Sequence, residues 1–165
     1  MGTQRQRRGA VSWAILGAFL VVTLAVGQFG AHVTRPALDP WYRGLAKPDF
    51  TPPDIAFPIV WTALFVLMAV AAWLVWKSSG WQRATGAFTL FAAQLVLNGA
   101  WSYLFFGLQS PFLGLMDIAL LLPLIAATAF AFARHSRAAG WLFLPYVLWV
   151  AYAAALNFRI WQLNA

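Results

Sequence analysis

Gln94, Asn98, Trp101 and Phe105 follow one another at spacings of four, three and four residues. On a helix these put two amides, an indole and a phenyl ring down one face. Buried amides need partners, so in apolar surroundings that face turns inward, and hydrogen bonds between helices would account for Gln94 and Asn98. Two further stripes have the same character. Pro145, Trp149, Tyr152, Ala153 and Leu156 share one face, as do Phe57, Trp61, Phe65 and Met68. The chemistry on offer is stacking: indole faces take a flat unsaturated ligand, an amide orients it, and small Ala153 beside Trp149 leaves room. Three converging aromatic faces make either a packed core or an aromatic-walled pocket, and composition does not choose between them.

Other chemistries are excluded. The chain has no cysteine, which removes disulfides and thiolate reactions. It has no glutamate, and its four acids are Asp39, Asp49, Asp54 and Asp117. His32 and His135 fall in separate loops, so a bis-histidine haem, a zinc site or a nucleophile–base pair is unsupported. No metal and no obligatory cofactor are expected, and no classical active site is legible.

The elements that position these stripes are read from composition. The chain is 62% hydrophobic and 9% charged, with mean hydropathy +0.73, against roughly 25% charged residues in a soluble domain. Its uncharged runs are Gly9 to Thr34, Ile55 to Trp76, Ala84 to Met116, Ile118 to Ala133 and Ala138 to Phe158. A span needs about 20 apolar residues, and GLQSP (107–111) should stop a helix. The expectation is an all-α integral membrane bundle in one domain, 1–165, with helices at 10–30, 54–76, 81–106, 111–133 and 138–161. RQRR before an apolar run also opens signal peptides, but this run is longer than a signal core and lacks a clean cleavage site, so a retained helix is expected.

The net charge of +7 is spread over loops and indicates topology, not nucleic acid. Arg5, Arg7, Arg8, Lys77, Arg83, Arg134 and Arg137 fall on one side, against Arg35, Arg43, Lys47 and Arg159 on the other. Seven against four places the N-terminus in the cytoplasm. Trp13, Trp73, Trp76, Trp81, Trp141 and Trp161 lie near helix ends, where rings anchor at lipid headgroups. Alanine ladders (Ala10, Ala14, Ala18; Ala127, Ala131; Ala151, Ala155) are expected mainly to pack the bundle, with a homodimer seam as the second use.

Between the first two helices stands WYRGLAKPDFTPPDIAFPIVW (41–61). Pro48, Pro52, Pro53 and Pro58 stiffen it, and Trp41, Tyr42 and Phe50 could fold over the bundle mouth as a lid. That favours a ligand site over plain packing. Ion pairs among Asp39, Asp49, Asp54, Arg35, Arg43 and Lys47 are expected to hold the lid shut. Asp117, alone in an apolar run, is expected to pair with the lid or an indole N–H.

These residues resemble the TspO/MBR family, the tryptophan-rich sensory proteins related to the mitochondrial translocator protein (peripheral-type benzodiazepine receptor). The likeness covers about residues 10–164 and is carried by the 41–61 segment, QLVLNGAWSYLFFG and LPYVLWVAYAAALNFRIW. It implies a five-helix bundle whose first loop caps a pocket for porphyrins such as protoporphyrin IX, sterols and benzodiazepine-type drugs. By motif position, the implied pocket residues are Trp61, Asn98, Trp101, Trp149, Ala153 and Leu156, with Phe57 and Phe105 beside them. The implied lid comprises Trp41, Tyr42, Arg43, Lys47, Pro48, Pro52 and Pro53. Arg43, Lys47 and Asn98 would receive propionates. Homodimers, a membrane-lipid surround and a bacterial cell membrane are also implied. The resulting function is a tetrapyrrole-binding membrane sensor or regulator. The alternatives are a porphyrin or sterol transporter, and a light-dependent porphyrin-degrading catalyst using Trp61 and Trp149. Two departures bear on ligands. Phe158 stands where the sterol-type pattern has tyrosine, and Tyr152 lies one residue too far from Arg159, which argues against a sterol. Leu113 replaces the fourth-helix tryptophan of mammalian members, which should weaken drug binding.

Overall fold

The computed structural model describes residues 2–165, with side chains from Gly9 onward. Arg5, Arg7 and Arg8, counted above for orientation, lie outside the described side chains. Among the described residues all regular structure is helical. The elements are α1 (Gly2–Thr34), α2 (Ala56–Arg83), α3 (Thr85–Ser102), α4 (Pro111–His135), α5 (Arg137–Leu142) and α6 (Leu144–Asn164). With α5 and α6 taken together, five helical stretches among the described residues are long and apolar enough to cross a membrane. The protein is an integral, multi-pass membrane protein.

Local chemistry sets the ends, several of which differ from expectation. The first helix does not stop at residue 30. It continues to Thr34 and through two irregular turns, Arg35–Ala37 and Leu38–Tyr42, so the start of the expected lid, Trp41 and Tyr42, is helical. Its backbone leaves helical geometry at Asp39 (φ −132°, ψ 128°), because the following Pro40 disfavours the helical region. The second helix passes residue 76, and Gly80 makes the turn at φ 70°, a conformation that glycine adopts without penalty. The α3 helix closes through a wide turn at Tyr103–Gly107. The break at GLQSP then forms as expected: Ser110 Oγ accepts the Leu113 N–H at 3.2 Å, and Pro111 opens α4. The chain breaks at Phe143, and Pro145 sits in the first turn of α6, where its missing N–H costs nothing.

The helices form a ring. The α1 helix packs on α2 and α3, α4 packs on α3 and α6, and α5 packs on α2 and α4. Lipid tails are as apolar as leucine, so close packing holds these seams together. At the tightest, a Cβ added to Gly140 would stand 2.6 Å from the Ala133 Cβ. The alanine ladders mostly do not serve this purpose. Ala10, Ala14, Ala18, Ala127, Ala151 and Ala155 are exposed and face outward. Small residues at the inner seams are instead Gly114, Gly140 and the buried run Ala69, Ala71 and Ala72. Trp13, Trp81 and Trp141 are at least half exposed, as anchors at an interface would be.

Candidate functional site

The lid is latched to α6 by hydrogen bonds rather than by the expected ion pairs. Among the described residues the one ion pair is Arg43 to Asp39 at 2.8 Å, local to the lid and exposed. Such pairs gain little in water. The latch is Asn164, which accepts the Ala46 N–H at 3.0 Å and donates to the Ala46 carbonyl at 2.9 Å. Twelve residues earlier on α6, the Tyr152 hydroxyl donates to the Phe50 carbonyl while the two rings pack edge to face. Lys47 Nζ donates to the Leu45 and Arg43 carbonyls and lies 4.6 Å from the centre of the Tyr42 ring.

Beneath the lid, the expected aromatic residues gather in two adjoining groups. Trp101 stacks on Phe105 (5.1 Å, 20°), and Trp41 meets Phe105 edge to face at 5.6 Å. Tyr42, Phe105 and Leu156 are buried together there. Across the bundle, Phe57 meets Trp149 edge to face at 5.9 Å, and Trp61 meets Tyr146 at 6.1 Å. These rings, more than close backbone approach, join α2 to α6. Half-buried Ala153 lies one turn beyond Trp149. Pro48 and Pro52 are half-buried in the lid, whereas Pro53 and Arg43 are exposed. Two apolar hollows open elsewhere, on the outer surface: one along α2 past Pro58, Thr62 and Val66, the other between α1 and α3 at Phe29 and Gly99.

A polar column runs down the inner face of α3. Asn98 Nδ2 donates to the Tyr146 hydroxyl at 2.8 Å, and that hydroxyl donates to Gln94 Oε1 at 2.9 Å. Gln94 Nε2 reaches Met68 Sδ at 3.8 Å. Toward the lid, Trp101 Nε1 donates to Asn157 Oδ1 (3.2 Å), and Asn157 Nδ2 donates to the Pro111 carbonyl (2.7 Å). Asn98 and Gln94 thus make the inter-helix bonds their burial calls for. Tyr146, Asn157 and Asn164 were not singled out from sequence. The lone amide in an apolar run that flagged Asn98 applies equally to Asn157, while nothing local marks Asn164.

Among the described residues two side-chain polar atoms remain buried without a partner: Trp149 Nε1 and Asp117 Oδ2. Asp117 therefore does not make the expected bond to the lid or to an indole. It lies on the inward face of α4 with Gly114 and Ile118, 5% exposed.

Comparison with known proteins agrees with this architecture. Residues 18–162 match the TspO/MBR family. The chain is similar to the tryptophan-rich protein TspO of Chlorobaculum tepidum, with 47% identity over 143 residues, 86% of this chain and 90% of the relative. The tryptophan-rich protein TspO of Archaeoglobus fulgidus is 41% identical over 150 residues, 91% and 97% of the two chains. The translocator protein of Bos taurus is 36% identical over 157 residues, 94% and 93%.

Proposed function

The chain belongs to the TspO/MBR family, and on that premise we propose that it is a membrane sensor or regulator binding a tetrapyrrole, protoporphyrin IX or a haem-type relative, between α2 and α6 beneath the lid. The observation that carries this reading is the α2–α6 seam, closed by the rings of Phe57, Trp61, Tyr146 and Trp149. Side chains turn aside where packed backbones do not, so a flat ligand can replace ring–ring contacts with its own. Stacking on Trp61 and Trp149 contributes about 0.5–1.5 kcal/mol per aromatic pair beyond buried area. A bound acceptor would also satisfy Trp149 Nε1. Propionates would emerge at the lid, within reach of Arg43 and Lys47. In this reading the N-terminus is cytoplasmic, and the exposed alanine ladders supply a homodimer seam.

The test is protoporphyrin IX titration followed by tryptophan quenching in the dark, wild type against Trp61→Phe/Trp149→Phe. Saturable micromolar binding lost in the double variant supports the reading. Equal binding by both proteins contradicts it.

A further inference from the structure

We infer that Asp117 is a ligand-binding residue whose carboxylate receives a protonated amine, or a comparably polarised N–H, carried by a flat aromatic ligand. The inference rests on reading the interior as a ligand site and adds the polarity that the site selects.

Asp117 is 5% exposed, and its Oδ2 is buried without a partner. An isolated carboxylate in apolar surroundings is costly unless a cation or hydrogen-bond donor meets it. Trp149 Nε1 is also without a partner and does not bond the carboxylate, and the other buried donors are committed elsewhere. The Tyr146 hydroxyl goes to Gln94, Trp101 to Asn157, Asn157 to Pro111 and Asn98 to Tyr146. Among the described residues no lysine or arginine pairs with it, the one ion pair being Arg43–Asp39.

The position also suits a ligand. The α4 and α6 helices run antiparallel, with the Gly114 Cβ position 2.9 Å from Asn157 Oδ1. That register sets Asp117, one turn further along α4, against the Ala153–Leu156 turn of α6. The first three residues of that turn, Ala153, Ala154 and Ala155, are alanines, so the α6 side chains opposite the carboxylate are small. Trp149, one turn before Ala153 on α6, and Trp101 of α3, bonded to Asn157 one turn after it, are indoles of the kind that also attract a cation.

The experiment uses two probes with one aromatic framework, 1-pyrenemethylamine and 1-pyrenemethanol, titrated into the purified full chain in a non-ionic detergent. Wild type should prefer the amine by about tenfold or more, the scale of one charge-assisted hydrogen bond. Asp117→Asn should lose that preference while keeping its affinity for the alcohol, and Asp117→Glu should retain it. An amine preference that survives Asp117→Asn overturns the inference. So does absence of any preference in wild type, or equal loss of both probes in Asp117→Asn, which would make the residue structural. Protoporphyrin IX quenching on the same samples separates the two readings. Porphyrin binding without an amine preference sinks only the role of Asp117. An Asp117-dependent preference without porphyrin binding sinks only the tetrapyrrole reading.

Discussion

Asn164, in the last turn of α6, grips both sides of Ala46: the side-chain oxygen takes the Ala46 N–H and the side-chain nitrogen reaches the Ala46 carbonyl. The two residues are 118 positions apart, so this one amide ties the end of the chain to the lid. Asn164→Ala should release it. Each exposed bond contributes about 0.5–1.5 kcal/mol net, so amide exchange at Ala46 should quicken by about tenfold or more. Unchanged exchange would mean that the lid is held elsewhere.

Tyr152 is the second fastening. Tyr152→Phe keeps the ring beside Phe50 and Trp149 but removes the bond to the Phe50 carbonyl. Bound protoporphyrin should leave several-fold faster with its association rate little changed, as is common when a contact, not the encounter, is altered. Stopped-flow displacement reads both rates.

Tyr146 joins α6 to α3 by taking a bond from Asn98 and giving one to Gln94. Tyr146→Phe strands a buried donor and a buried acceptor. Leaving such groups without partners costs about 1–3 kcal/mol each. Thermal unfolding in detergent should show a clear drop in Tm, and replacing Gln94 by leucine in the same chain should recover part of it.

Glycines at the seams should differ in tolerance. At Gly140 an added methyl meets the Cβ of Ala133 at 2.6 Å and its backbone Cα at 3.0 Å, which have nowhere to go. At Gly114 it meets side chains, Asn157 and Phe105, that can shift. Gly140→Ala should therefore cost more, about 1–3 kcal/mol as overpacking does, and a comparison of the two Tm values checks the order.

How much of this was legible beforehand follows physical lines. Spans and the GLQSP break are written in composition and turn chemistry, which act locally. The aromatic stripes follow from helical periodicity, and Trp101 does face inward beside Phe105. Helix ends were less legible, because nothing in residues 31–34 forbids helix and the chain stops only where Pro40 acts on Asp39. The lid's fastening was misread because charges are conspicuous in sequence, whereas a backbone carbonyl waiting for Asn164 is not. The outward turn of the alanine ladders likewise depends on which face each helix presents, which four-residue spacing alone does not specify.

Orientation can be measured directly, since the chain has no native cysteine. If the positive charges set topology, an impermeant maleimide should label Gly44→Cys in intact cells. Ala138→Cys should label only after permeabilisation. The reverse pattern would place the lid in the cytoplasm.

The central claim is the proposal that a tetrapyrrole binds between α2 and α6 beside Trp149 and Ala153. Protoporphyrin IX titration of Ala153→Trp, with Ala155→Trp on the exposed face of the same helix as control, tests it most directly. The account predicts that filling position 153 abolishes saturable quenching in a chain that still unfolds cooperatively, while the control binds as wild type does. Wild-type binding by Ala153→Trp would contradict it and leave these rings as packing alone.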